Sequence, residues 1–154
     1  MGELNPLNPF LFSASLFLGL IQHFKVAGFA SSMGEYKKAI EIYEQVASAS
    51  LESSLLKWSV KDYFLRAGIC HLAAGDAGDA TRARERYEGF DASFASTREG
   101  PLLGQLTKAF EEVADEAFTE AVREYDEISR LDAQKTSLLL EAKKKIKASQ
   151  NDIT

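Results

Sequence analysis

Three short stretches constrain this chain more than anything else in it. Ala39–Val46 reads AIEIYEQV, Ala83–Phe90 reads ARERYEGF and Ala121–Ile128 reads AVREYDEI. All three follow Ala-x-x-x-Tyr-acid-x-apolar. On an α-helix the step from Ala to Tyr is four residues and from Tyr to the last apolar residue three, so the pattern lies on one face. The small residue lets a neighbouring helix come close, and the ring fills the next gap. Packing units recur in this way; catalytic motifs rarely do. The copies start at residues 39, 83 and 121, spacings of 44 and 38, which is the range of two-helix repeats. Each copy is therefore expected to be the second helix of a helical hairpin, with its alanine, tyrosine and closing apolar residue (Val46, Phe90, Ile128) packed inward.

The segments between the copies supply the first helices. Leu56, Val60, Tyr63, Phe64, Ala67, Cys70 and Ala74 make one apolar stripe; Leu103, Leu106, Phe110, Val113 and Ala117 make another. GDAGDA (Gly75–Ala80) reads as a polar turn between Asp-capped helices, and Pro101 suits a helix start. A last helix over about Asp132–Ala148 would turn Leu139, Ala142 and Ile146 inward. The expected fold is all-α: an α-solenoid of tetratricopeptide-like helical hairpins with a C-terminal helical bundle.

Composition bounds the rest. The chain has 154 residues, enough for one domain. Its net charge of -5 leaves no excess of cations for phosphates, so nucleic acid is not expected as a partner. Cys70 has no second cysteine to pair with and sits in an apolar helical context, as a buried small hydrophobe would. His23 and His71 lack partners at ligand spacing, and no phosphate-binding or nucleophile-elbow motif occurs. No metal or cofactor is expected, and the chain reads as a binding protein, not an enzyme. Pro9–Ile21 (PFLFSASLFLGLI) is the most apolar stretch, too short for a spanning helix and without the basic lead of a signal peptide.

The tracts KVAGFASSMGEYKKAIEIYEQV, LLKWSVKDYFLRAGICHLA and EYDEISRLDAQKTSLLLEAKKKI resemble the soluble NSF attachment protein family of the α/β type. The resemblance starts near Lys25, runs to Thr154, and corresponds to the C-terminal half of a family member. It divides the chain into an apolar segment, residues 1–24, expected to order poorly, and a helical domain, residues 25–154. The resemblance implies a cytoplasmic adaptor, peripheral on intracellular membranes. Such a protein binds the four-helix SNARE complex of syntaxin type, several copies around one bundle. It also recruits the hexameric AAA ATPase NSF, which takes the bundle apart in vesicle-mediated transport.

By position, the resemblance puts Lys25, Leu55, Trp58, Lys61 and Arg98 on the SNARE-facing surface. Spaced cations suit an acidic rod, and an aromatic supplies contact area. Trp58 stands where the family usually has Tyr. The ATPase-facing residues would be Asp76, Glu111, Glu112 and Ile153. Glu111 to Glu127 holds eight acids against one base, Arg123. Lys108 departs from the pattern, since an acid is expected there. Ile153 takes the place of a penultimate leucine associated with stimulating ATP hydrolysis, behind an acidic run reduced to Asp152. Two other readings carry different consequences: a form that docks NSF without gripping SNAREs, and a general tetratricopeptide scaffold that holds a peptide in its concave groove.

Overall fold

The computed structural model describes the backbone of residues 9–153 and the side chains of residues 15–152. Seven α-helices follow one another: α1 Pro9–Ser32, α2 Tyr36–Leu51, α3 Val60–Ala73, α4 Ala77–Phe90, α5 Glu99–Glu111, α6 Asp115–Ile128 and α7 Ala133–Ile153. Among the described residues there is no strand. The helices pair as hairpins α1–α2, α3–α4 and α5–α6, and the three Ala-Tyr copies fall on the second member of each pair. Part of the expected apolar segment is thus the first two thirds of α1, and the boundary at residue 24 falls inside that helix; residues 1–8 lie outside the described residues.

All three hairpins turn the same way. In each, the N–H three residues past the helix end reaches back five positions: Glu35 to the Ala30 carbonyl at 2.8 Å, Asp76 to His71 at 2.9 Å, and Ala114 to Ala109 at 2.9 Å. The residue before each adopts a left-handed backbone, with φ of 79° at Gly34, 89° at Gly75 and 53° at Val113. This is the Schellman closure, which satisfies orphan carbonyls and normally requires glycine. The third turn does without it. The apolar stripe expected to run from Leu103 to Ala117 is accordingly cut there, and Ala117 belongs to α6.

The alanine and tyrosine columns are buried throughout: Ala39, Ala83 and Ala121, with Tyr43, Tyr87 and Tyr125. The closing column is not. Val46 is 1% exposed, but Phe90 is 61% and Ile128 76% exposed. The reason is where the helices stop. Helix α2 continues past Val46 to Leu51, whereas Phe90 and Ile128 end α4 and α6, and the extended residues Asp91 and Ser129 carry the chain away.

Helix α3 is the hub. Every residue from Phe64 to Cys70 is buried, because α2, α4, α5 and α7 surround it. Phe64 stacks on Tyr87 at 4.2 Å, and Phe94 meets both rings edge-on. A Cβ at Gly68 would stand 2.5 Å from the Leu103 side chain, so glycine sets how closely α5 approaches. Burial pushes the Cys70 thiol up to about 12, leaving it an inert core residue.

Helix α7 does not extend the stack. It folds back across the inner face onto α3 and α1 and buries Leu138, Leu139, Ala142 and Ile146. Buried Arg66 of α3 anchors it. Arg66 bonds Asp62 at 2.7 Å, pairs with Asp132 and donates to Gln134, while its guanidinium lies 4.9 Å over the Phe24 ring. Tyr43 donates to Gln134 at 2.7 Å, and buried Lys135 pairs with Asp62. Two of the tracts that carried the family resemblance, FLRAGIC and ISRLD, thus meet at one ion pair.

Candidate docking surfaces

A stack of helical hairpins has two edges. One carries the tight turns inside each hairpin, at residues 33–35, 74–76 and 112–114. The other carries the links between hairpins, at residues 52–59, 91–98 and 129–132. Helices of about 14 residues hold these edges about 20 Å apart.

Leu55, Trp58, Lys61 and Arg98 all come to the linker edge. Leu55 and Trp58 are exposed, on the connection into α3, and do not pack between helices. Trp58 and Lys61 line a cleft of about 450 Å³ with Ile21, Phe24, Glu99 and Arg130. Lys25 is exposed on α1, one residue beyond Phe24. Glu99 forms the floor of this cleft. It is buried in the first turn of α5, accepts from the Tyr125 hydroxyl at 2.6 Å, and has the Lys61 ammonium 3.9 Å away. A carboxylate in the first turn also suits the helix dipole.

Arg98 is less free than its position in the sequence suggests. It donates to the Ser129 hydroxyl and, at 3.4 Å, to the Tyr125 carbonyl, with its guanidinium 4.8 Å over the Tyr125 ring. It therefore caps the end of α6. Arg130, which sequence reasoning passed over, extends from the same rim, nearly fully exposed and 3.5 Å from Asp126. Its one signal in the sequence was its place two residues after the third repeat copy. Lys135 also borders the cleft, but it is buried and committed to Asp62.

Asp76, Glu111 and Glu112 gather at the opposite edge, all exposed. Asp76 caps α4 by accepting from the Asp79 N–H at 2.9 Å. In the next turn of that helix Thr81 donates to Glu111 at 3.3 Å, tying the second hairpin to the third. The end of α7 arrives here as well. Gln150 donates to the Val113 carbonyl at 3.0 Å and to Asp115 at 2.8 Å, and Lys147 pairs with Asp115 at 2.9 Å. The Gln150 hydrogen bond, then Lys147, hold the Asp115 carboxyl down at about 2. The α7 backbone runs on to Ile153, whose side chain lies outside those described.

Several acids of the 111–127 run are already matched within the chain: Glu120 and Glu127 with Arg123, Asp126 with Arg130, and Asp115 as above. Among the described residues Glu112 has no such partner. Lys108, exposed in the last turn of α5, stands one helical turn from both Glu111 and Glu112. Among the described residues no cluster of His, Cys, Asp or Glu could hold a metal ion, and no helix is long and apolar enough to cross a membrane.

Known proteins resemble this chain over most of its length. The family model described as soluble NSF attachment protein, SNAP, matches residues 20–147. The alpha-soluble NSF attachment protein of Mus musculus is 45% identical over 129 residues, covering 84% of this chain and 43% of that protein. The probable vesicular-fusion protein sec17 homolog of Schizosaccharomyces pombe is 46% identical over 132 residues, 86% of this chain and 46% of its own length. The alpha-soluble NSF attachment protein of Dictyostelium discoideum is 49% identical over 122 residues, 79% of this chain and 42% of its own. The chain spans less than half the length of these curated relatives.

Proposed function

The chain belongs to the soluble NSF attachment protein family, and on that footing we propose that it is an adaptor joining a SNARE bundle to the NSF ATPase. The linker edge, with Leu55, Trp58, Lys61, Arg98 and Lys25, takes the bundle. The turn edge, with Asp76, Glu111, Glu112 and Ile153, takes the basic N-terminal domain of the ATPase. The protein works by binding, at the surface of intracellular membranes, with several copies around one bundle.

One observation carries this reading. A single rigid stack presents exposed aromatic and cationic side chains on one edge and exposed carboxylates on the other, separated by the length of its helices. An acidic rod and a basic domain can then be held together without competing for one site, which is what an adaptor requires. Of the basic side chains on the first edge, Lys25, Lys61 and Arg130 keep exposed charge, while Arg98 fixes the end of α6 and acts mainly by shaping the rim.

The peptide-scaffold reading fares worse for a physical reason. The inner face, where a solenoid would hold an extended peptide, is filled by α7 with Leu138, Leu139, Ala142 and Ile146 buried against it. A ligand would have to displace that helix and break the Arg66–Asp132 pair.

The test is capture of a purified four-helix SNARE complex by the bead-tethered chain at low salt. Trp58→Ala together with Lys61→Glu is expected to lower capture at least tenfold, and higher salt to weaken what remains. Glu111→Lys with Glu112→Lys should leave SNARE capture intact and abolish capture of NSF. Retained NSF capture without SNARE capture by the parent would establish instead the form that docks only the ATPase.

A further inference from the structure

The cleft at the linker edge is lined by Lys61, Arg130 and Lys135, and each already faces a carboxylate of the same chain. Lys61 stands 3.9 Å from Glu99, Arg130 stands 3.5 Å from Asp126, and Lys135 pairs with Asp62. An acidic partner therefore meets positive charge that is matched from within. It must bind by exchange or sharing of ion pairs, not by unopposed attraction.

The three acids differ in what they can tolerate. Asp126 is partly exposed and also accepts from the Leu131 N–H at 2.9 Å, so water can replace Arg130 beside it. Asp62 has a second cation, Arg66, at 2.7 Å. Glu99 has neither recourse. Its side chain is 8% exposed, and only one of its oxygens, Oε2, accepts the Tyr125 hydroxyl. The other, Oε1, is buried and receives no hydrogen bond among the described residues. The cation facing it is the half-exposed Lys61 ammonium, at a distance too long for a hydrogen bond. Stripping that charge from a buried carboxylate is costly. Lys61 is thus tethered at the cleft floor and does not swing out to follow a partner. An incoming acid has to enter the cleft beside Trp58 and share Lys61 with Glu99, whose like charge opposes it.

We propose that Glu99 is the residue that limits affinity and sets selectivity at the linker edge, by tethering Lys61 so that only an acid placed inside the cleft gains from it. The inference takes the acidic partner from the adaptor reading and everything else from the cleft itself. It makes the grip weak and reversible, and it discounts polyanions that stay at the rim.

Capture of a purified four-helix SNARE complex, and separately of poly-L-glutamate, by the full chain tests this. Both are measured at about 0.15 M salt, where charges outside the cleft are largely screened. Glu99→Gln keeps an acceptor for the Tyr125 hydroxyl and loses the charge, so circular dichroism and urea unfolding should match the parent. It should tighten both captures about two- to fivefold. Capture of poly-L-glutamate should also fall more steeply with salt than it does for the parent, because one more cation is free to engage; a purely structural role would leave that slope unchanged. Glu85→Gln, the same change of charge at an exposed site on α4 outside the cleft, should move neither capture. A folded Glu99→Gln variant that binds both probes no better than the parent, or an equal gain in Glu85→Gln, overturns the proposal. A chain that takes poly-L-glutamate but no SNARE complex, with Glu99→Gln still tightening the former, would sink the adaptor reading and leave the role of Glu99 standing. If neither parent nor variant takes up either probe, both fall.

Discussion

Arg66 shows how much of this fold hangs on single side chains. It is buried, its partners Asp62 and Asp132 are only partly so, and its guanidinium also covers the Phe24 ring. Arg66→Ala removes both the pairing and the packing, and should cost about 3 kcal/mol in urea unfolding. Burial alone would raise the pKa of Asp132, but the hydrogen bond from Arg66, the Lys135 backbone and both cations hold it below the ordinary carboxylate range. A depressed carboxyl contributes stability that is fully present above its unfolded value, about 3.9, and lost as pH falls through the folded one. The acid limb of the stability profile should therefore begin below about pH 4. Asp132→Asn should flatten that limb while lowering stability at neutral pH, as thermal melts at a series of pH values will read. Neither effect was legible in the sequence. FLRAGIC reads as an apolar helical run, and no spacing rule tells which acid an arginine 66 residues away will meet. The tyrosine column, by contrast, was legible, because a helical period and a repeat agree on it.

At the scale of elements, the three hairpins share one turn and differ in one residue of it. Gly34 and Gly75 adopt the left-handed backbone freely, but Val113 must do so with a branched Cβ. That conformation costs an L-residue about 1–2 kcal/mol, more than the backbone freedom a glycine would lose on folding. Val113→Gly should therefore raise stability by about 1 kcal/mol, visible as a higher urea midpoint at unchanged slope. Gln150 of α7, bonded to the Val113 carbonyl, helps hold the turn in place. The sequence announces two of the turns through their glycines and hides the third behind an apolar residue that continues the stripe of α5. For the same reason Phe90 and Ile128 were expected inside. Periodicity reports which face a side chain takes and is silent on whether the helix ends there.

Across the whole molecule, α7 turns a row of hairpins into one cooperative body. Ile146→Ala or Leu139→Ala should each cost about 2–5 kcal/mol, since both are buried where α7 meets the stack. A single unfolding transition that shifts as a unit would show that the lock spans the chain. The all-α hairpin architecture was readable from three octets alone. The cleft that brings Arg130 to Trp58 and Lys61 was not, because Arg130 is far from them in sequence and reaches them only through the fold. The central claim is that opposite edges serve two partners at once, and a bridging assay addresses it most directly. An immobilised SNARE bundle is incubated with purified NSF, with and without the chain, and bound NSF is measured. NSF should be retained only when the chain is present. Trp58→Ala/Lys61→Glu and Glu111→Lys/Glu112→Lys should each abolish retention, the first at the bundle and the second at the ATPase. Retention that survives both variants, or a folded parent that binds each partner alone but never bridges them, would contradict it.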